Sequence, residues 1–237
     1  MLDRLWKGCD TRAMSVTVLD REMYTEAAAA RLLGVPQNTL NYWLEGGERR
    51  GKVYKPVIRI EPRGDRTAVT WGEFLEAALL REYRRKNVPM LELRDFIDKI
   101  RREFNVPYPL ADRRPYIGGK QLLCEAQDDS GLSAEFCLVA VVRNQLVLTP
   151  PADAWYERVS WDGDLAAEWR PHNDRLSPVR MDPKVRFGLP AIGGVRTEVI
   201  WEHSGAGETD EDIAGEFDLP VDSVRWALAY ETSARAA

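Results

Sequence analysis

The stretch that decides the fold at the amino end of the chain is TEAAAARLLGVPQNTLNYWLEGG, residues 25–47. Its first half predicts a helix that begins after Thr25, a residue type that caps helix N-termini, and ends in a sharp turn at Gly34. Pro36 suits the first turn of a second helix, where its missing N–H needs no partner. The pair Gly46-Gly47 stops that helix. The stretch therefore predicts two short helices joined by a tight turn, which is the outline of a helix-turn-helix.

Working outward, residues 53–71 (VYKPVIRIEPRGDRTAVTW) predict two extended runs joined as a hairpin at Arg63-Gly64-Asp65-Arg66. Thr70 and Glu73 have the spacing of a capping box, so a further helix is expected to open there. Apolar residues recur at helical spacing in MLELRDFIDKIRREF, residues 90–104, which predicts the last helix of this unit.

The remainder of the chain changes character. FCLVAVV, NQLVLT and YERVSW are β-rich runs that predict a small antiparallel sheet, with a turn at WDGD. Three helical segments follow, TEVIWEHS, ETDEDIAGEFDLP and PVDSVRWALAYE. Thr209 is the predicted N-cap of the second of them, with Asp212 at the reciprocal position. We therefore expect an α+β fold in four parts: an N-terminal extension over 1–20 in which VTVL is a candidate strand, a winged helix-turn-helix over 21–112, a β-rich middle region over 113–178, and a C-terminal three-helix domain of helix-turn-helix shape over 179–237.

Charge is divided unevenly along the chain. The 33 basic and 38 acidic residues give a net charge of -5, yet residues 21–114 hold 19 basic and 14 acidic residues and are net positive. From Phe187 to the end, three arginines face ten carboxylates. A phosphate backbone attracts cations and repels carboxylates, so the front half suits a polyanion and the rear half does not. We expect the C-terminal unit to serve dimerisation or partner binding, unless its acids only keep the surface soluble.

Polar and basic side chains gather in the second helix and just after it. Asn and Gln pair bidentately with adenine, and Thr contacts a thymine methyl group or a phosphate. A basic hairpin beside such a helix is suited to the phosphate backbone. The alternative is a solvated basic hairpin next to an ordinary helix pair. The predicted DNA-binding residues are Thr25, Gln37, Asn38, Thr39, Asn41, Tyr42, Arg49, Arg50, Lys52, Lys55 and Arg59.

Other classes of function find little support. The three cysteines form no CxxC pair, and the two histidines, His172 and His203, have no HxxxH pattern and no cysteine nearby, so we expect no metal and no cofactor. There is no P-loop and no GxSxG elbow, and we expect no enzymatic activity. No apolar run approaches the ~18 residues of a membrane span, and no signal-peptide pattern is found. We expect a cytoplasmic protein with no membrane partner.

A set of short motifs runs through residues 24–105: Tyr24-Thr25, Ala28-Ala29, Leu32-Leu33-Gly34-Val35, Thr39-Leu40, Tyr42-Trp43, Trp71 to Leu75, Leu80 to Arg85 and Val88 to Arg94. On these motifs the segment resembles a MerR-type winged helix-turn-helix, which implies an operator-binding domain. The segment departs from that family in two ways: Asn41 occupies a position where the family often has Arg, and neither a long coiled-coil helix nor a cysteine-bearing effector loop follows. The family's usual dimer element and its route to metal sensing are therefore missing.

The last unit carries a second set of motif residues: Asp182-Pro183, Phe187-Gly188, Pro190, Ile192, Gly194, Arg196-Thr197, Asp212-Ile213-Ala214, Phe217 and Val224 to Tyr230. On these residues the unit is similar to a small domain associated with prokaryotic toxin–antitoxin operons, and the whole architecture resembles a VapB-type antitoxin. The resemblance implies an antitoxin of a type II system that neutralises a VapC-like PIN-domain ribonuclease toxin and binds its own operator DNA. We expect a homodimer. Two alternatives stay open: a ligand-sensing MerR-like transcriptional regulator with no toxin, and a pure protein-interaction adaptor.

Overall fold

The computed structural model describes residues 17–63, 68–85, 88–117, 120–132, 137–142 and 145–236. Within these residues, ten α-helices alternate with five antiparallel sheets of two strands each. Sheets this small are marginal by themselves, so helix packing supplies most of the core. The expected mixture of helices and short antiparallel strands is confirmed.

The two helices of the opening stretch are α1 (Glu26–Leu33) and α2 (Gln37–Glu45). The hydroxyl of Thr25 accepts a hydrogen bond from the backbone N–H of Ala28, so the predicted N-cap is confirmed. Gly34 takes a left-handed conformation with φ of 60°, which a residue without a Cβ adopts at little cost. The backbone N–H of Val35 returns to the carbonyl of Ala30, and this closes the turn between the helices.

The hairpin lies earlier in the chain than predicted. Strand β2 (Gly47–Arg49) pairs with β3 (Lys52–Tyr54), whereas β1 (Glu22–Thr25) pairs with β4 (Ala68–Thr70). The prediction of a hairpin at Arg63–Arg66 was wrong in its strand pairing, and residues 64–67 lie outside the described part of the chain. Arg50 and Gly51 both have positive φ, at 52° and 73°, as a two-residue hairpin turn with the right twist requires.

Two further helices complete the amino-terminal unit, α3 (Trp71–Arg85) and α4 (Met90–Phe104). The capping box is confirmed: the backbone N–H of Thr70 donates to Glu73 Oε2, and the N–H of Glu73 donates to Thr70 Oγ1. Of the VTVL segment, Val16 lies outside the described residues, and residues 17–19 do not form the expected strand. Val18–Asp20 form a 3₁₀ turn because Asp20 accepts from both the backbone N–H and the hydroxyl of Thr17, and the turn leaves Leu19 buried.

The middle region contains more helix than predicted. In chain order its elements are α5 (Arg114–Ile117), α6 (Lys120–Asp129), β5 (Val139–Val142), β6 (Gln145–Leu148), α7 (Pro150–Tyr156), β7 (Val159–Asp162) and β8 (Leu165–Trp169). The two hairpins, β5–β6 and β7–β8, are separate sheets, and α7 lies between them in the chain. The three helices were not predicted; in α6 the run LLCEAQ consists mostly of helix formers, but the neighbouring β-rich runs dominated the sequence pattern.

The carboxyl-terminal region has the three predicted helices. Thr209 caps the second of them by accepting from the backbone N–H of Asp212, as predicted. No helix within the described residues is both long and apolar enough to cross a membrane. The elements are β9 (Ala191–Ile192), β10 (Val195–Arg196), α8 (Thr197–Gly205), α9 (Asp210–Phe217) and α10 (Val221–Arg235).

The buried side chains form two clusters. The larger runs from Leu19 to Met181, so the amino-terminal unit and the middle region share one continuous core. The smaller runs from Val179 to Tyr230 and is centred on α8, α9 and α10. The hydroxyl of Tyr24 donates to the carbonyl of Gly188, which joins the two parts of the molecule. The predicted domain boundaries stay predictions.

Candidate nucleic-acid interface

Helix α2 separates its apolar and polar residues onto opposite faces. Leu40, Trp43 and Leu44 are almost completely buried against the core. Because side chains three and four apart share a face, the residues between them point outward. Gln37, Asn38 and Asn41 are exposed, and Thr39 and Tyr42 are half-buried. The amide groups predicted to contact bases are thus accessible at the start of the helix.

The β2–β3 hairpin packs against α2 through an aromatic ring. The guanidinium carbon of Arg49 lies 3.9 Å from the centroid of the Tyr42 ring, a cation–π contact. The ring of Tyr54 lies 6.4 Å from that of Tyr42, edge to face. Asn38 stands one helical turn before Tyr42 on the same face. The hairpin cations Arg49, Arg50 and Lys52 and the neighbouring Lys55 are exposed, and the first of them lies directly beside the polar face of α2.

Arg94 of α4 holds this arrangement together and was not among the predicted residues. Its Nη1 donates to the carbonyl of Pro56 at 2.8 Å, and its Nη2 donates to the hydroxyl of Tyr42 at 3.4 Å. Its guanidinium also lies 5.8 Å from the ring of Tyr54. In the sequence, Arg94 was only the last residue of the Val88 to Arg94 segment quoted for the MerR resemblance, and no role was assigned to it. Contacts between residues some 40 to 50 positions apart depend on tertiary structure, and no local pattern reveals them.

Arg59 was also predicted to contact DNA, but the structure does not place it on the exposed surface beside α2. Arg59 is 4% exposed; its Nε donates to Glu73 Oε1 at 2.9 Å, and its guanidinium also pairs with Glu45. Arg63 adds a second cation to Glu73 at 2.7 Å. Because a buried carboxylate needs a compensating charge, Arg59 is used inside the protein. It fastens the chain after the hairpin to the end of α2 and to the start of α3.

Two other residues that were predicted to contact DNA, Thr25 and Asn41, make side-chain hydrogen bonds within the protein. The hydroxyl of Thr25 caps α1, as described above. The side-chain amide of Asn41 donates to Glu26 Oε2 at 3.1 Å and so ties α2 to α1. An amide group carries two N–H donors and a carbonyl, so Asn41 keeps a donor and an acceptor for a further partner.

The carboxyl-terminal helices offer a different electrostatic surface. Arg225 at the start of α10 lies 3.2 Å from Asp210 and 3.3 Å from Asp222, with Glu211 at 3.9 Å. Acids on both sides therefore neutralise this cation. The α9–α10 pair presents no free basic row within the described residues, which agrees with the charge division seen in the sequence.

A second cluster in the same region joins α8 to α9. Nδ1 of His203 lies 3.0 Å from Glu208 and 3.6 Å from Glu216. The hydrogen bond with Glu208, followed by the charges of the nearby carboxylates, raises the pKa of His203. These three side chains are of types that ligate metals, and their ligand atoms lie within 4.8 Å of one another. Sequence spacing did not predict the cluster because it assembles only when the two helices pack.

Comparisons with known proteins place the chain among mycobacterial relatives. Residues 179–230 match the family model described as "Protein of unknown function (DUF433)", and the smaller core cluster occupies the same span. "Uncharacterized protein Rv2308" of Mycobacterium tuberculosis is 33% identical over 236 residues, which cover 94% of this chain and 96% of the relative. "Putative antitoxin VapB45" of the same organism is 29% identical over 224 residues, covering 88% and 93% of the two chains.

Among solved structures, the crystal structure of Rv2018 from Mycobacterium tuberculosis matches with a TM-score of 0.72 and 26% sequence identity. The match covers 90% of this chain and all of that one. The fold described above is therefore similar to one determined by crystallography over nearly its whole length. The name of VapB45 agrees with the antitoxin resemblance at the level of the family. Because the 33% identity to Rv2308 extends over almost the full length of both proteins, this chain belongs to the family of Rv2308.

Proposed function

We propose that this protein is the antitoxin of a type II toxin–antitoxin system, and that it neutralises a VapC-like PIN-domain ribonuclease and binds its own operator DNA. The likeness to VapB45 supports the antitoxin role. The class of toxin comes from the family resemblance in the sequence. In this proposal the protein acts in the cytoplasm as a binding protein and catalyses no reaction.

One observation carries the DNA-binding part: Arg49 lies against Tyr42, so a basic hairpin stands beside the polar face of a short second helix. In this account residues 21–112 act as a MerR-like winged helix-turn-helix. The start of α2 enters the major groove, where Gln37, Asn38 and Asn41 offer amide groups to base edges. Arg49, Arg50, Lys52 and Lys55 contact phosphates. Two copies of the chain, as a homodimer, would bind a two-fold symmetric operator.

A mobility-shift assay on the DNA upstream of the gene tests the operator claim. We expect a complex that survives competition by shuffled DNA of the same length and base composition. If shuffled DNA competes as well as the upstream fragment, sequence-specific binding is contradicted.

Co-expression with the product of the adjacent gene tests the antitoxin claim separately. We expect the neighbour to be a PIN-type protein that stops growth when expressed alone, and we expect this chain to restore growth and to co-purify with it. A neighbour that is harmless alone, or that stays toxic in the presence of this chain, would remove the toxin–antitoxin role and leave the DNA-binding claim untouched.

The alternative, a ligand-sensing MerR-like regulator, is favoured by a different observation: a cleft of small-molecule size lies between α1, α3 and α10. An efflux or metabolic gene next to this one, in place of a PIN-type gene, would support that alternative.

A further inference from the structure

A cavity of about 370 Å³ lies where the amino-terminal helices meet the carboxyl-terminal helix. Its walls come from the end of α1, from α3, from the segment after β8 and from α10. Sites for small molecules are commonly clefts of about 300–1,000 Å³, often between structural units. The size and the place of this cavity are those of a ligand site.

The charge around the cavity is mainly positive. Arg31, Arg81 and Arg85 line it, and Glu82 is the one carboxylate among the lining residues. Arg81 already has partners within the protein, because its Nη1 donates to the carbonyl of Leu33 at 2.7 Å and its Nη2 donates to Glu82 Oε1 at 3.0 Å. Arg31 and Arg85 are exposed and have no carboxylate within 4 Å among the residues that the structure describes.

Glu82 does not satisfy these two cations. Burial acts to raise the pKa of its carboxyl group, but the hydrogen bond from Arg81 and the charges of Arg81, Arg158 and Arg85 lower the pKa overall. The carboxylate is therefore ionised and already shared, because its Oε1, which accepts from Arg81, also lies 3.6 Å from Arg158 Nη1. Arginines that face one cleft repel each other unless an anion lies between them.

The rest of the wall is mixed. Leu32, Trp169, Pro171 and Tyr230 supply apolar and aromatic groups, whereas His172, Asn173 and Ser233 supply polar ones. A second cavity of about 330 Å³ shares Glu82 and Asn173 with it and has walls that include Leu79, Leu138 and Trp155. A site with cations on one part of its wall, and aromatic and aliphatic groups beside a few hydrogen-bonding ones on the rest, suits a ligand with a charged head and a largely apolar body.

We propose that this cleft binds a small organic oxyanion, a carboxylate or phosphate group on an aromatic or short aliphatic body. Arg31 and Arg85 take the charged group, since a guanidinium pairs with carboxylate and phosphate through two parallel hydrogen bonds. Gly34 lines the cavity and Arg81 holds the carbonyl before it, so the ligand touches the turn between α1 and α2. The binding itself does not depend on the proposed contact with DNA.

The test is an NMR titration of the full chain with benzoate, with phenyl phosphate and, as a neutral control of the same shape, with benzamide. The reporters are the indole N–H of Trp169, assigned with W169F, and the backbone amide of Gly34. We expect saturable shifts of both reporters with one or both anions and none with benzamide at the same concentration. The anion that binds more tightly identifies the head group.

Matched variants locate the site. We expect R85A and R31A each to weaken anion binding by about tenfold or more, the loss of one charge-assisted contact. R84A removes the same charge one residue away, from a side chain that does not line the cavity, and should change the affinity less than about twofold. Equal shifts with benzamide, equal effects of R84A and R85A, or no saturable shift with either anion would overturn the proposal.

Discussion

At the scale of the residue, the same side chain type has opposite uses a few positions apart. Arg50 at the hairpin turn is exposed, whereas Arg59 is buried between Glu45 and Glu73. The sequence around Arg59 does not show that this arginine is buried rather than exposed, because its partners come from other elements. They are Glu45 of α2 and Glu73 of the α3 capping box. A count of cations therefore predicts which half of the chain is basic but overestimates how many of them are free.

Arg59 is predicted to be essential for stability. Replacing it in R59M leaves two carboxylates in a buried place without their shared cation, and a broken buried ion pair costs about 3–5 kcal/mol. Urea denaturation should show a loss of this size in the free energy of unfolding. R50Q, an exposed control, should stay within about 0.5 kcal/mol of the parent. Similar losses in the two variants would mean that the Arg59 network contributes little.

Glu76 is predicted to make stability depend on pH. Its carboxyl group is fully buried in α3, and burial is the main reason why its pKa rises to about 7 from 4.5. Between those values the folded protein holds the proton more firmly than the unfolded chain, so the contribution of Glu76 to stability falls as pH rises through this window.

E76Q removes this titration, and the carbonyl of Gln can still accept from the backbone N–H of Leu110 as Glu76 does. We expect the free energy of unfolding of E76Q to change less between pH 5 and pH 8 than that of the parent. Parallel pH profiles for the two proteins would show that Glu76 titrates alike in the folded and unfolded states.

At the scale of the element, the chain specifies its helix ends better than its strand partners. The caps at Thr25, Thr70 and Thr209 follow from side chains that bond to backbone groups within three residues, and all three were predicted. The hairpin was displaced because pairing depends on which distant strand is available. β4 pairs with β1, more than 40 residues earlier, and this leaves β3 to pair with β2.

In the candidate interface, too, contacts between distant segments could not be predicted from the sequence. The polar and basic residues of the interface were predicted because they are adjacent in sequence, but Arg94, which joins α4 to the hairpin, was not.

We expect R94M to release the hairpin from Tyr42 and to weaken operator binding in the mobility-shift assay by about tenfold, with the helical content of its circular dichroism spectrum unchanged. R102M, an exposed arginine on the same helix, is the control. If R94M binds the operator with the same affinity as R102M, Arg94 does not position the hairpin for DNA binding.

Asn38 belongs to the reading face of α2 in this account. Its replacement by Ala should reduce discrimination between operator and altered base pairs by about 1–3 kcal/mol, because an amide–base contact is lost. Competition with single-base-pair variants of the operator measures this. Unchanged discrimination at every position would exclude Asn38 from base contact.

At the scale of the whole molecule, each end of the chain carries a helix pair, and the charges beside the two pairs differ. Exposed cations lie beside α2 in the α1–α2 pair, whereas Arg225 in the α9–α10 pair is surrounded by Asp210, Glu211 and Asp222. The sequence predicted this division because net charge is additive along a chain and needs no tertiary contacts.

We expect R225Q to bind the operator within about twofold of the parent, because Arg225 is already paired with acids. A larger loss of affinity would show that the α9–α10 pair takes part in DNA binding.

The salt dependence of operator binding tests the central claim, that α2 and the hairpin form a DNA-binding surface, most directly. Fluorescence anisotropy would give the dissociation constants of the parent and of R50Q for operator and shuffled DNA over a range of salt concentrations. We predict tighter binding of the operator by the parent and, in R50Q, a log–log salt slope smaller by about one for each lost phosphate contact. Equal affinities for the two DNAs, or an unchanged slope in R50Q, would contradict the account.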